Sequence, residues 1–219
     1  MADRVKNIVL ILFVCASISV DAQSDSLAQV FIAKKNIEEL QNEQKELNFQ
    51  KFFFLALQQK AIGNFDKAIN ALETCQNIKN NDKAVEFEFA KNYFELDKYF
   101  EAEIYVKKAL DKEPDNLYML RLLKDIYNNQ NNFKDALEVQ KKILVQKPNS
   151  QLDLVSLYIK NHQIDNAKKL LLDLEKKGVL SPNLIPFKES LMKGNVLNPT
   201  SISVNKPVEQ QSIEELKNT

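Results

Sequence analysis

Three hexapeptides decide how the chain is read: Gly63-Asn64-Phe65-Asp66-Lys67-Ala68, Asp97-Lys98-Tyr99-Phe100-Glu101-Ala102 and Asn131-Asn132-Phe133-Lys134-Asp135-Ala136. Their alanines stand 34 residues apart twice, and so do the aromatic residues three places earlier. A fourth copy, His162-Gln163-Ile164-Asp165-Asn166-Ala167, follows after 31 residues, and Pro114 and Pro148 are again 34 apart. A fixed period of this size marks stacked supersecondary units rather than one irregular core.

Working outward from the hexapeptides, each period reads as two amphipathic helices around a short turn. Phe89, Ala90, Tyr93 and Leu96 fall on one helical face, and after the turn Ala102, Tyr105, Val106 and Ala109 fall on another. The third unit repeats this with Leu120, Leu123 and Tyr127, then Ala136, Val139 and Ile143; the first has Phe52, Leu55 and Ala56, then Ala68, Leu72 and Cys75. Ala68, Ala102, Ala136 and Ala167 let the second helix of a unit approach the first, while Phe65, Tyr99, Phe133 and Ile164 fill the turn. No unit of this kind buries its apolar face alone, so neighbours must stack.

A 34-residue helix-turn-helix period carrying these residues resembles the tetratricopeptide repeat (TPR) family, over residues 49–178. The resemblance implies an all-α fold: a tetratricopeptide-type α-solenoid of four repeats, 49–82, 83–116, 117–150 and 151–181. Residues 182–194 have the place of a capping helix, with Leu184, Phe187 and Leu191 as its apolar side. The resemblance also implies that the first helices line a concave groove that binds a peptide or a helix. The positions concerned are Gln50, Phe53, Leu57 and Lys60; Ala84, Phe87, Lys91 and Phe94; Tyr118, Arg121, Asp125 and Asn128; and Leu152, Ser156 and Ile159. Some members clamp a peptide's terminal carboxylates with Lys and Asn; Phe53 and Leu57 stand there instead, which argues against that specialisation.

Several positions depart from the pattern. Glu86 stands where other units have Phe52 and Leu120, Lys124 and Val155 replace a small residue, Gln59 replaces a tyrosine, and Gln140 takes the place of Leu72, Val106 and Leu171. These substitutions predict a splayed third unit, and the fourth is three residues short.

Ahead of the array, residues 1–22 carry Arg4 and Lys6, the apolar run Ile8 to Val14, and Val20-Asp21-Ala22, the order of a secretory signal cleaved before Gln23. Even extended to Val20 the run is 13 residues, against about 20 for a membrane span. Cys15 as a lipid-modified N-terminus is disfavoured by the large Val14 before it. Residues 23–48 lack Gly and Pro and set Leu27, Val30, Phe31, Ile37, Leu40 and Leu47 among polar groups, a helix that either caps the first repeat, covering Phe53 and Leu57, or protrudes as a coiled-coil-like arm. Residues 195–219, with Pro199 and Pro207 among Ser, Asn and Gln, have the composition of a disordered tail.

Composition bounds the chemistry. The 219 residues hold 30 Lys+Arg against 30 Asp+Glu, so no net field steers the chain onto nucleic acid or an anionic membrane. Only Arg4 and Arg121 are arginines, which argues against bidentate phosphate or guanine readout. Three glycines leave nothing to build a phosphate-cradling loop. One His, His162, and two Cys, Cys15 and Cys75, do not amount to a metal site or a nucleophile-base pair. The reading that follows is an exported, non-enzymatic interaction scaffold without cofactor, with a protein or peptide partner, no nucleic acid and no small-molecule substrate. Two alternatives stay beside it: a structural or assembly subunit of a bacterial envelope complex, self-association being its simplest case, and a regulatory subunit of an enzyme. The excess of Lys over Arg and the abundant Asn suit an AT-rich bacterial genome, hence a periplasmic or outer-envelope destination.

Overall fold

The computed structural model describes residues 2–194, with side chains from residue 29 onward. Its elements are helical throughout that range: α1 (Ala2–Ala61), α2 (Phe65–Ile78), α3 (Lys83–Glu95), α4 (Tyr99–Lys112), α5 (Leu117–Asn129), α6 (Phe133–Gln146), α7 (Gln151–Lys160), α8 (Ile164–Lys176), then a 3-10 turn (Pro182–Leu184) and α9 (Ile185–Met192). Contacts run chiefly between consecutive helices, and α1–α3 and α3–α5 are the most extensive of the pairs that skip one, so the end of α1, α3 and α5 lie in one layer. Residues 195–219 lie outside the described part, as do the side chains of the signal-like segment.

The boundaries of the elements follow from local chemistry. Asp82 and Asn116 cap α3 and α5: the Asp82 carboxylate accepts the N–H groups of Ala84 (2.9 Å) and Val85 (3.2 Å), and the Asn116 amide oxygen those of Tyr118 (3.1 Å) and Met119 (3.2 Å). Pro114 and Pro148 follow Glu113 and Lys147, whose φ of −134° and −126° are the extended values a following proline requires. Within units, Gly63, Asp97, Asn131 and His162 occupy one equivalent place with φ of 79°, 56°, 58° and 56°. There the N–H of Asp97 reaches Phe94 O (3.1 Å) and that of Lys98 reaches Tyr93 O (2.9 Å), a Schellman closure repeated at His162 and Gln163.

The packing expected of the small residues is present: Ala68, Ala102, Ala136 and Ala167 are all fully buried. Three apolar clusters succeed one another along the array. Phe49, Ala56, Leu72, Cys75, Val85 and Phe89 form the first, a long cluster from Ala90 to Leu157 the second, and Val155, Ile159, Leu171, Leu184 and Leu191 the third. Tyr93 and Tyr105 touch both of the first two, and Phe89 stacks on Tyr105 with ring centroids 4.6 Å apart. Phe187 packs beside Leu184 and Leu191 in the third.

One expectation needs correction, and one pair of alternatives is narrowed. The third unit is not splayed: Leu120, Leu123 and Tyr127 of α5 share one buried cluster with Ala136, Val139 and Ile143 of α6, and the fully buried Gln140 donates its Nε2 to Ser150 O (3.0 Å) and Ser150 Oγ (3.1 Å) at the start of α7. For residues 23–48 the protruding arm is the alternative that fits, since residues 29–48 are exposed and the helix continues into the first repeat. No Gly or Pro occurs between Ala2 and Ala61, and the helix runs on until Ile62 and Gly63. The shortness of the fourth unit is traced to its first helix, since α7 has 10 residues where α3 and α5 have 13.

Candidate peptide-binding groove

The layer of first helices brings most of the singled-out residues together. Phe53, Leu57 and Lys60 on α1, Phe87, Lys91 and Phe94 on α3, Arg121, Asp125 and Asn128 on α5, and Leu152 on α7 are all half-buried. Gln50, Ala84 and Tyr118 are exposed. Ser156 and Ile159 are instead buried, at 6% and 5% exposure, with Ile159 in the cluster formed with α8. The short α7 thus spends its turns on the core, and Leu152 is what it offers to the groove. Residues 29–48 of α1 are exposed and continue its axis, so they do not fold back over Phe53 and Leu57. Phe53 is partly occupied by the core, its ring stacked on Phe49 at 6.0 Å.

Charged groups at this surface are paired across helices. Lys60 Nζ donates to Glu88 Oε2 at 2.6 Å, and Lys91 pairs with the other oxygen of the same carboxylate. Glu88, 10% exposed at its side chain, therefore carries two ammonium groups, and the cluster keeps one net positive charge. Burial pulls the Lys91 pKa below the ordinary lysine value, with Glu88 opposing and Lys60 reinforcing the shift. Its ammonium sits 4.7 Å from the Phe87 ring centre, a cation–π contact. One unit further on, Lys124 Nζ donates to Asp153 Oδ2 at 2.9 Å, joining α5 to α7, and lies 3.6 Å from Asp125. Burial raises the Asp125 pKa against the opposing charge of Lys124, and Asp153 adds to the rise. The Asn128 Oδ1 atom is buried without a hydrogen-bond partner among the described residues.

Glu88, Lys124 and Asp153 take part in the ion pairs of this surface but are not among the positions that the resemblance assigns to the groove. Glu88 was detectable as the carboxylate three residues before Lys91 on the same helix. Lys124 stands at a position where other units have a small residue, and no spacing rule pairs it with a residue 29 places away.

The catalytic candidates lie elsewhere. Cys75 is fully buried, its Sγ donating to Phe49 O at 3.6 Å, and burial, with the charge of Asp82, pushes its thiol up to about 11. At neutral pH it stays a protonated, apolar filler. His162 is exposed, and its backbone is what the fold uses, as the left-handed residue closing α7. His162→Gly should therefore raise stability by roughly 0.5–1 kcal/mol, because the left-handed conformation costs a side chain more than it costs glycine. A lower midpoint in thermal unfolding would contradict that role. Among the described residues no three His, Cys, Asp or Glu side chains are grouped to hold a metal, and no helix is long and apolar enough to cross a membrane. A depression lined by Asp165, Lys168, Leu172, Asp173 and Lys176 belongs to α8 alone and is an open helix face.

No family model matches the chain, and no curated protein matches it by sequence. Solved structures do. A double mutant of MamA RS-1 superposes with a TM-score of 0.57 at 15% identity, over 78% of this chain and 95% of that one. MamA 41-end from Desulfovibrio magneticus RS-1 gives 0.56 at 14%, over 78% and 96%. A thermophilic TPR protein of Thermus thermophilus aligns at 0.45 and 17%, over 77% and 96%. At these identities the likeness bears on the fold.

Proposed function

We propose, from a tetratricopeptide-type α-solenoid as premise, that the chain is an exported, non-enzymatic interaction scaffold whose first-helix layer takes up an amphipathic helix or extended peptide. The observation that carries this reading is the ledge on α3. Phe87, Lys91 and Phe94 are spaced i, i+4 and i+7, half-buried, and set beside a lysine pair that one carboxylate does not neutralise. An apolar strip flanked by surplus positive charge suits a ligand with apolar anchors and an acidic side chain. Arg121 and the unpartnered Asn128 oxygen extend the polar side of that surface onto α5. Export is supported by the order of basic residues, apolar run and small residues in 1–22.

Crosslinking in the native cell followed by mass spectrometry tests partner and compartment together. The wild-type chain is expected to begin at Gln23 and to carry a crosslinked partner that Phe87→Glu with Lys91→Glu reduces at least about tenfold, one anchor and one charge being removed. Equal capture by a double variant of unchanged helicity would rule the groove out, and a chain still beginning at Met1 would rule export out.

A further inference from the structure

The exposed part of α1 carries a pattern that the groove does not use. Counting from Val30, positions 30, 37, 44 and 51 and positions 33, 40, 47 and 54 recur every seven residues in the alternation of three and four that defines a coiled-coil seam. The first set is Val30, Ile37, Gln44 and Lys51, and the second Ala33, Leu40, Leu47 and Phe54. More than half of each large apolar member is open: Val30 62%, Ile37 55%, Leu40 64%, Leu47 54% and Phe54 66%. Phe31 and Ile32 fall outside the seam.

The seam and the solenoid do not compete for the same side of the helix. Phe49, Phe52, Phe53 and Ala56 turn toward α2 and α3 in the first cluster. At 3.6 residues per turn, Leu47 and Phe54 project from the opposite side. The seam therefore runs unbroken from the arm onto the outer face of the first repeat, about 36 Å at 1.5 Å per residue.

We infer that this seam binds the same seam of a second copy of the chain, as a two-helix coiled coil. A heptad spacing interlocks with another helix of the same spacing, because only supercoiling by both keeps the two stripes in register. Four lysines (Lys34, Lys35, Lys45, Lys51) and four glutamates (Glu38, Glu39, Glu43, Glu46) lie between residues 30 and 54, so two copies meet without net repulsion. Gln44 and Lys51 are the polar residues inside the seam, the kind of position that fixes register at some cost in affinity. Dimerisation through α1 leaves the α3 ledge open, and it stands or falls independently of the groove.

Sedimentation equilibrium of the intact chain tests it. The wild type is expected to show twice the 25.2 kDa chain mass. Leu40→Glu with Leu47→Glu, both at exposed sites, is expected to halve that mass with helicity unchanged, whereas Phe100→Glu, at an exposed apolar residue on α4 (76%), leaves the dimer intact. A wild type that stays monomeric at its highest soluble concentration overturns the inference. So does association that survives the double substitution, which would place the contact in another segment.

Discussion

Replacing Lys112 with Met lowers stability by about 3 kcal/mol, because it leaves the Glu86 carboxylate charged and unpartnered in the core. Glu86 is 2% exposed at a position where Phe52 and Leu120 stand in neighbouring units. It is tolerated there through Lys112, whose Nζ lies 2.6 Å from Glu86 Oε2 and also donates to Asn81 O. The lysine comes from the far end of α4, so one ammonium group ties α3, α4 and the turn before α3 together. Its own side chain is 34% exposed, which places the cost at the lower end of the range for broken buried pairs. Glu86→Leu combined with Lys112→Met should recover most of the loss, since an apolar pair of similar volume removes the desolvation cost as well as the attraction. Denaturant midpoints of the wild type, the single variants and the double variant close the cycle. A Lys112→Met loss below about 1 kcal/mol would mean the pair behaves as a surface ion pair.

Phe89→Ala is expected to cost about 3–5 kcal/mol, the usual range for deleting a buried aromatic ring. It should also broaden unfolding. Phe89 is fully buried, stacks on Tyr105 at 4.6 Å and lies 6.2 Å from Tyr93, whose ring is itself 5.5 Å from that of Tyr105. These three rings form the joint between the first and second apolar clusters. In a linear array stability is held by neighbour interfaces, so weakening one lets the parts on either side melt separately. The check is calorimetry: a single transition as sharp as the wild type's would show that the joint does not couple the units.

The repeat and its helix-turn-helix units were legible because their determinants are local and periodic: the alanines at 68, 102 and 136, the aromatics before them, and Pro114 and Pro148. What was not legible depended on partners far away in the chain. Glu86 and Gln140 look like flaws until Lys112 and Ser150 are placed beside them, 26 and 10 residues off. The groove was readable as far as position goes, since Phe87, Lys91 and Phe94 share a face by spacing alone. Its charge was not, because the sharing of Glu88 by Lys60 and Lys91 is set by how α1 and α3 lie together. Ser156 and Ile159 stand 31 residues after Asp125 and Asn128, in step with the shortened fourth unit, yet a first helix of 10 residues has fewer turns to share between core and groove, and both side chains go to the core. The unbroken helix through residue 48 was hidden for a different reason: absence of Gly and Pro says where a helix can continue, and a repeat boundary carries no stop signal of its own.

That continuity has a mechanical side. Between residue 29 and Phe49, where the core begins, α1 stands free for about 30 Å at 1.5 Å per residue, with the same hydrogen-bond ladder as the repeat it enters. A linker of Gly and Ser would let the solenoid swivel about whatever holds the N-terminal end. A strut without a hinge fixes the direction in which the α3 ledge faces, so that pull or torque applied at one end reaches the ledge as rotation of the whole solenoid.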